Sequence, residues 1–430
     1  MAEARPFHGL RYADHLDPAL LIAPPYDVIS PQQQRALYER SPHNVVRIEY
    51  PEQRPGDDEA ANRYTRAAAE LLAWRAAGIL RADDPPAIYA YTQGFEHAGK
   101  RYERRAWFVA LRLEEWDKGI VKPHERTLAA PKADRLDLLR HTRTQISPVY
   151  SIVRFQGVPP AVGRAAALMD FEADGQRHAL SAITAEPDIT TLARAIAGAG
   201  VYIADGHHRY ETALAYRDEV RARSSAWTGD EPENFVLMAL TPHDDPGLLV
   251  LPTHRMIRPP AWPENALDRL AWHFDVEDLG HADVQYATGL LASAGRDTPT
   301  FVAIGVTPGA LHLLTLKDRA AVEHLMPPNQ PPAWKRLDVN VLQYGVLQDV
   351  FGIDEPMLRE SDIVTYTQDA RAAASAVASG EARAAFLLNA TPVSAIMAVA
   401  DAGARMPQKS TYFQPKLPTG LVMRALEDDA

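Results

Sequence analysis

The alternation of apolar and polar positions predicts strands and helices mixed along the whole chain. Residues 88–95 and 102–113 alternate on either side of a turn at Gly99, a pattern typical of a β-hairpin. Other short apolar runs predict strands at 45–50, 147–155, 178–185, 235–240 and 248–251, and a second hairpin over 301–316. Helical spacing predicts helices at 58–77, after Pro159-Pro160 and at 190–197.

The C-terminal part of the chain alternates strand and helix in a regular order. Predicted strands at 363–367 and 384–388 are each followed by a predicted helix, at 369–378 and 393–402 respectively. A βαβα order of this kind is typical of parallel strand pairing. The proline-rich segment 327–332 before it predicts a linker. The sequence therefore predicts a mixed α/β protein.

The most informative pattern lies at residues 201–214. A short apolar run at 201–204 predicts a buried strand, and a helix is predicted from Tyr210 onward. Asp205-Gly206 allows a sharp turn between them, and the turn is followed by His207, His208 and Arg209. The start of a helix attracts anions, and an arginine adds a fork suited to phosphate or carboxylate. The pattern predicts a phosphate-binding turn; a structural turn without chemistry is the alternative.

A second polar stretch runs over residues 119–135 and is both charged and constrained by two prolines. Its ionisable residues include Lys122, His124, Glu125, Arg126 and Lys132. Conformationally fixed loops that are dense in mixed charge usually display a site. Glu125 is the best candidate for a general base, because a positioned carboxylate can accept a hydroxyl proton. A solvated, salt-bridged turn is the alternative.

Two further segments are candidates for substrate contact. Pro24-Pro25 predicts a rigid turn that presents Tyr26 and Asp27 ahead of a helix capped by Ser30. Residues 406–420 form a polar, aromatic, proline-framed loop that we expect to fold over a cleft. Its candidate residues are Lys409, Ser410, Thr411 and Lys416. A plain helix start and a surface tail are the respective alternatives.

The composition is that of a globular, enzyme-sized protein. A chain of 430 residues suffices for two or three domains, which we predict at 1–110, 111–228 and 229–430. The net charge of −11 argues against DNA binding, and the absence of cysteine excludes disulfides and thiolate sites. The start of the chain is unlike a signal peptide and no apolar run could span a membrane, so we expect a cytoplasmic protein. P-loop and GxGxxG motifs are absent.

The motifs of the two polar stretches resemble those of a known superfamily. DGHHRYE at 205–211, together with KPHE at 122–125, resembles the ParB/sulfiredoxin-like nucleotide-binding superfamily, and within it the free-serine kinases. A bacterial family of unknown function is similar over nearly the whole chain. It shares PPYDVIS, HERT, DGHHRYETA and the closing KSTYF and PKL segments.

This resemblance implies a ParB-like core at 111–228 and a kinase-like reaction. Glu125 would be the base, with His124 beside it, and Asp205 would hold Mg²⁺. The residues implied to bind the phosphates of ATP or ADP are those of the turn, namely Gly206, His207, His208 and Arg209. Their placement in the charged stretch adds Lys122, Arg126 and Lys132 as candidates for the same role. The acceptor would be a hydroxylated metabolite such as free serine, and catalysis would rest on positioning and charge stabilisation.

Two other functions remain open at this point. A phosphatase or nucleotide hydrolase could use the same phosphate site with water as the acceptor. A ParB-like protein could bind a nucleotide as a gate without metabolic turnover, although the acidic composition argues against DNA as its partner. Small-molecule partners are expected in each case, and a homo-oligomer is compatible with the sequence.

Overall fold

The computed structural model describes residues 1–125, 127, 129–155, 165–359 and 362–427. Over these residues the chain is a mixed α/β protein, as the sequence predicts. None of the helices in the described part combines the length and the apolar character that a bilayer crossing requires. The chain divides into two compact units. The first comprises Met1–Pro123, Thr127–Leu249 and Pro415–Ala430, and the second comprises His124–Arg126 and Val250–Gln414.

Thirteen α-helices lie in the described part of the chain. They are α1 (Pro31–Arg40), α2 (Val46–Glu49), α3 (Arg63–Ala76), α4 (Ala129–Thr142), α5 (Glu186–Ala197), α6 (His207–Arg223), α7 (Ala266–His273), α8 (Val284–Ala294), α9 (Ala320–Glu323), α10 (Pro332–Lys335), α11 (Asp338–Leu342), α12 (Ala370–Ala378) and α13 (Val393–Asp401).

The strands of the same residues number twenty-one. They are β1 (Ala4–Arg5), β2 (Gly9–Tyr12), β3 (Leu80–Ala82), β4 (Ile88–His97), β5 (Lys100–Arg112), β6 (Val121–Lys122), β7 (Thr144–Gln145), β8 (Val149–Arg154), β9 (Ala166–Ala173), β10 (Gln176–Ile183), β11 (Gly200–Asp205), β12 (Phe235–Pro242), β13 (Leu249–Leu251), β14 (His254–Ile257), β15 (Phe274–Gly280), β16 (Thr300–Ile304), β17 (Leu311–Leu316), β18 (Val364–Thr367), β19 (Ala384–Leu388), β20 (Tyr412–Gln414) and β21 (Met423–Ala425).

The first unit is built on a nine-stranded mixed sheet. Among the described residues its order is β6-β11-β8-β12-β5-β4-β10-β9, with β1 paired to β5. The predicted hairpin is confirmed: β4 and β5 pair antiparallel from Tyr89 opposite Phe108 to His97 opposite Lys100. Strand β11 lies between β6, to which it is parallel, and β8, to which it is antiparallel. The side chains on one face of β5, β8, β11 and β12 pack against α5 and α6 and form an apolar core.

A smaller sheet closes the first unit. Its order is β3-β2-β21-β7, so the last described strand of the chain lies between two strands of the N-terminal half. A separate apolar cluster packs α1, α2 and α3 against this sheet. The predicted boundary between residues 228 and 229 therefore falls inside the first unit, because β12 follows it and pairs with both β5 and β8.

The second unit is built on a six-stranded sheet whose order is β15-β17-β16-β19-β14-β18 in the described residues, with β13 and β20 forming a separate two-stranded sheet. The predicted hairpin of β16 and β17 is confirmed. The predicted parallel pairing of residues 363–367 and 384–388 is wrong. Strands β18 and β19 each pair antiparallel with β14, which lies between them, so the crossover through α12 skips one strand.

One local prediction is also wrong, and two others concern segments that lie outside the described residues or inside one unit. Residues 45–50 form α2 rather than a strand, and the side chain of Asn44 caps the turn by accepting from the Val46 N–H at 3.0 Å. The helix predicted after Pro159-Pro160 begins outside the described residues, and from Ala166 the chain is strand β9, paired with β10. The predicted linker at 327–332 belongs to the second unit, and α10 begins within it.

Candidate active site

The predicted strand, turn and helix are present in the first unit. Strand β11 ends at Asp205 with a bulge in its pairing to β8. Gly206 follows with φ of 88° and is the N-cap of α6, and no side chain of the described residues caps the helix. A positive φ is readily adopted only by glycine, so this residue permits the abrupt change from strand to helix. The helix N-terminus at this turn is a position where an anion is stabilised.

Arg209 folds back over the glycine. A Cβ at Gly206 would lie 2.8 Å from the Arg209 Nε, so the guanidinium occupies the space that a side chain would fill. Its Nη1 donates to the Pro148 carbonyl and its Nη2 donates to Asp205 Oδ2 at 3.2 Å. The buried Nε has no hydrogen-bond partner within the described structure. One N–H of a buried guanidinium thus lacks an acceptor beside a helix N-terminus.

Asp205 is held between two cations. Its Oδ1 accepts from Lys416 Nζ at 3.3 Å, and its Oδ2 accepts from Arg209. Burial alone would raise the pKa of Asp205, but the charges of Lys416 and Arg209 outweigh burial and hold it well below its usual range. Lys416, predicted as part of a substrate loop, therefore lies at the turn. The carboxylate is ionised and neutralised at physiological pH.

The two histidines of the turn have different environments. His207 is buried, whereas His208 is partly exposed. Burial lowers the pKa of His208, while the charges of Asp27 and Glu211 oppose that shift. His208 is therefore a neutral imidazole near pH 7, and Asp27, predicted from the PPYDVIS segment, lies within electrostatic range of it.

Tyr26 lies in a buried group of charged residues that sequence reasoning had not assigned to the site. The Arg135 guanidinium carbon lies 4.1 Å from the centroid of the Tyr26 ring, and burial raises the pKa of Tyr26 to about 12. Arg135 also pairs with the buried carboxylate of Glu49 at 3.6 Å. Burial raises the pKa of Glu49, and Arg135 opposes the shift. The charge of Arg209 acts on both Tyr26 and Glu49.

A small cavity adjoins this group of charges. Glu49, Arg135 and Arg209 contribute its polar wall, and its volume is about 50 Å³. A cavity needs roughly 10–15 Å³ per water molecule, so a few waters fit and a nucleotide does not. The cavity lies beside the turn, because Arg209 lines it, and a nucleotide would have to lie outside it.

Lys132 and Lys122 lie on elements that flank the turn. Lys132 Nζ pairs with Glu211 on α6 at 2.9 Å, and Thr127 Oγ1 donates to the same carboxylate at 2.6 Å. Lys122 on β6 lies beside β11, and its Nζ is 5.3 Å from the centroid of the Tyr202 ring. Both lysines thus belong to the same unit as the DGHHR turn, as does Tyr26.

Arg104 is another buried cation that sequence reasoning missed. Its Nη2 donates to the Gln93 side chain and to the Pro415 carbonyl at 2.7 Å. Its Nε and Nη1 are buried and have no hydrogen-bond partner among the described residues. The neighbouring Lys416 contacts Asp205, so Arg104 positions the backbone that brings the lysine to the turn. Nothing in the local sequence around Arg104 indicates its burial.

Glu125 and its neighbours belong to the second unit. Glu125 forms a parallel backbone bridge with Met406, and its Oε1 accepts from the Lys409 N–H at 3.3 Å. His124 is buried, and its Nε2 lies 3.0 Å from Thr411 Oγ1. The second unit therefore joins the predicted base to the closing KSTYF segment.

Several predicted features of the site stay predictions. Arg126 lies outside the described residues. Glu125 and Arg209 belong to different compact units. The prediction that their side chains face each other therefore comes from the resemblance alone. In the described ranges no group of three or more His, Cys, Asp or Glu side chains could hold a metal ion. Asp205 does not fit direct Mg²⁺ coordination, because each of its oxygens already has a cationic partner.

Ser410 is the remaining predicted substrate residue. It is buried in the second unit, and its Oγ donates to the Pro407 carbonyl at 2.6 Å. Its own carbonyl accepts from Thr391 Oγ1 at 3.2 Å. These contacts hold the loop around Lys409, and contact of Ser410 with a substrate stays a prediction.

The chain has weak similarity to several solved structures. The chain is similar to a conserved hypothetical protein from Pyrococcus furiosus, with 15% identity and a TM-score of 0.36 over 76% of this chain and 97% of that chain. It is similar to a free serine kinase in complex with AMP, with 14% identity and a TM-score of 0.38 over 76% and 93% of the two chains. SbnI with a C-terminal truncation, from Staphylococcus aureus, has 11% identity and a TM-score of 0.35 over 74% and 90%.

The amino-acid sequence places the chain in a family. No curated protein matches it significantly. Residues 4–340 match the family described as "Protein of unknown function (DUF1015)", which is well over half of the chain. The protein is therefore a member of the DUF1015 family.

Proposed function

We propose that this protein is a phosphotransferase that binds a nucleotide by its phosphates at the Gly206 turn and transfers a phosphoryl group to a small hydroxylated acceptor. The observation that carries the proposal is the helix start at Gly206, which no described side chain caps; beside it, the Nε of Arg209 has no hydrogen-bond partner among the described residues. Anions bind at such positions because helix N–H groups and the helix dipole both stabilise negative charge.

The charges around the turn favour a phosphate over a metal ion or a cationic ligand. Asp205 is the acidic member of the turn, and Lys416 and Arg209 neutralise it. A bound phosphate would therefore be stabilised by the helix dipole and by the two cations. Asp205 would repel it only weakly, because both cations already neutralise its carboxylate. Arginine also matches the geometry of phosphate oxygens through its planar fork.

In the proposed reaction Glu125 is the general base, a role carried over from the resemblance of the KPHE motif. Its carboxylate takes the proton of the acceptor hydroxyl. The acceptor oxygen then forms a bond to the terminal phosphorus of ATP or ADP, and the bond from that phosphorus to the bridging oxygen breaks. The leaving nucleotide carries the electron pair, and Arg209 stabilises the charge on the phosphates. The hydrogen bond from the Lys409 N–H orients the carboxylate.

The test is a phosphoryl-transfer assay that separates the base from the binding site. Purified protein is incubated with ATP or ADP and serine, with nucleotide alone, and with phosphoserine alone, and products are followed by ³¹P NMR. We expect acceptor-dependent phosphoserine formation. Glu125→Gln should lose turnover and keep nucleotide affinity, whereas the exposed Glu59→Gln should retain both. Unchanged turnover in Glu125→Gln removes the assigned base, and phosphate release without an acceptor replaces transfer with hydrolysis.

A further inference from the structure

Arg255 is a buried cation without a carboxylate partner among the described residues of the chain. It lies on β14 between β18 and β19, and only 5% of its surface is exposed. Its Nη1 donates to the Thr253 carbonyl, and its Nη2 donates to the Lys409 carbonyl at 3.4 Å. Its guanidinium carbon lies 5.7 Å from the centroid of the Tyr366 ring. A buried charge is costly unless an opposite charge compensates it.

Lys409 connects Arg255 to Glu125. Lys409 has φ of 57°, a conformation that non-glycine residues rarely adopt. Its N–H donates to Glu125 and its carbonyl accepts from Arg255, so the two charged side chains bind the two backbone polar groups of the same residue. Strained backbone of this kind clusters at functional sites.

The distances limit how far apart the two charged groups can be. The Lys409 N–H is 3.3 Å from Glu125 Oε1, and its carbonyl is 3.4 Å from Arg255 Nη2. The N and O atoms of one residue are about 3.5 Å apart, so the carboxylate and guanidinium atoms are separated by at most about 10 Å. Tyr366 supplies a second link, because the charge of Glu125 acts on it and Arg255 lies over its ring.

We propose that Arg255 binds an anionic group of the acceptor, which makes the acceptor a small hydroxy acid. This inference rests on the proposed function, in which Glu125 accepts the hydroxyl proton. When both acceptor oxygens lie between the two side chains, hydrogen bonds of about 2.8 Å at each end leave about 4 Å between the hydroxyl and anionic oxygens. That span fits a hydroxyl on the carbon next to, or one removed from, the carbon bearing a carboxylate. The planar fork of arginine pairs with a carboxylate through two hydrogen bonds.

The acceptor's carboxylate would supply the missing counter-charge of Arg255. An acceptor with a hydroxyl and no anion would leave the guanidinium buried without a counter-charge, because its hydrogen-bond acceptors among the described residues are the Thr253 and Lys409 carbonyls. Sites built around polar partners discriminate strongly against analogues that lack those partners. We therefore expect a preference of about 100-fold or more in kcat/KM for the hydroxy acid over its neutral or cationic analogue.

The experiment compares acceptors that differ in the carboxylate alone. Serine and glycerate carry it, whereas ethanolamine and glycerol are their analogues without it. Wild type should phosphorylate at least one of the acids and strongly disfavour both analogues. Arg255→Met should abolish the preference by losing activity on the acids. Arg258→Met is the matched control, because Arg258 donates to the Gly380 and Glu381 carbonyls on the exposed surface of the same unit.

A binding measurement separates failure of this inference from failure of the proposed function. If wild type phosphorylates none of the four compounds, the proposed function fails for this set, and calorimetric titration with glycerate still tests Arg255. Glycerate should bind wild type and Arg258→Met, and bind Arg255→Met at least tenfold more weakly. Equal turnover or equal binding of glycerate and glycerol by wild type overturns the inference without any variant. If Arg255→Met does not fold, Arg255→Lys replaces it in the same binding measurement, because lysine keeps the positive charge and lacks the planar guanidinium.

Discussion

Replacement of Gly206 by alanine tests whether the turn and the position of Arg209 depend on the absence of a side chain at residue 206. The substitution has two separable costs. An alanine at φ of 88° takes up the left-handed conformation, which costs about 1–2 kcal/mol. The new Cβ would also lie 2.8 Å from the Arg209 Nε and 2.9 Å from its Cζ, so the guanidinium has to move. That movement weakens its hydrogen bonds to Pro148 and Asp205, and hydrogen bonds of charged groups contribute about 1.5–3 kcal/mol.

Gly56 provides a control for the first cost. Its φ of 89° is nearly the same, it is exposed, and a Cβ there would meet no atom within 4 Å. Gly56→Ala should therefore lower the free energy of unfolding by the conformational cost alone. Gly206→Ala should lower it by about 2 kcal/mol more, since the Arg209 contacts are weakened as well.

The assay is urea-induced unfolding of both variants and wild type, together with calorimetric titration of ADP. Loss of the Arg209 geometry should weaken ADP binding by Gly206→Ala by about tenfold or more, the equivalent of 1.4 kcal/mol. Gly56→Ala should bind ADP as wild type does. Equal destabilisation of the two variants with unchanged ADP affinity refutes the reasoning, because Arg209 would then not depend on the missing side chain.

Three further perturbations have expected outcomes. Because the pKa of Asp205 is depressed in the folded state, its ion pairs stabilise the fold fully above the unfolded pKa and lose this effect only as the pH falls through the depressed folded pKa. Lys416→Met should therefore lower the free energy of unfolding by about 1–3 kcal/mol near neutral pH, and by progressively less as the pH falls below about 4 in urea unfolding. Burial lowers the pKa of His178 to about 4, so unfolding free energy should fall by up to about 3 kcal/mol as pH drops below about 6.5. His178→Gln should flatten that dependence, and an identical pH profile contradicts the assignment. Lys132→Gln should change stability by less than about 1 kcal/mol, because its pair with Glu211 is half-exposed; a larger loss indicates a structural role.

The local features of the fold could be predicted where short-range chemistry determines them. The β4–β5 hairpin and the strand before Gly206 follow from alternation, β-branched residues and a turn that needs glycine. Residues 45–50 look like a strand for the same reason, yet the cap at Asn44 and burial of Ile48 against α3 make a short helix. Tertiary packing overrides local propensity there.

Long-range pairing could not be predicted. Strand β14 lies between β18 and β19 although more than a hundred residues separate it from both, and no periodic pattern encodes such an insertion. The predicted βαβα order of elements along the chain is confirmed, but the pairing of adjacent strands that it indicates is wrong. The same limit applies to the C-terminal strand β21, which pairs with β2.

The site was predictable in its exposed motifs and unpredictable in its buried charges. Asp205 and Arg209 stand out because they follow a strand and precede a helix. Arg104 and Arg255 lie in ordinary strand sequence, and only the folded structure reveals that they are buried, with backbone carbonyls and an amide rather than carboxylates as their hydrogen-bond acceptors in the described part of the chain. Lys416 was predicted as part of a loop, but its pairing with Asp205 joins residues more than two hundred positions apart.

A crystal structure with bound ADP is the most direct test of the phosphate-binding turn. The phosphate oxygens should lie within about 3.2 Å of backbone N–H groups at the start of α6, with the Arg209 guanidinium beside them. Phosphates bound at another surface, or an absence of ADP binding by calorimetry while the turn is intact, would contradict the proposed role of Gly206 and Arg209.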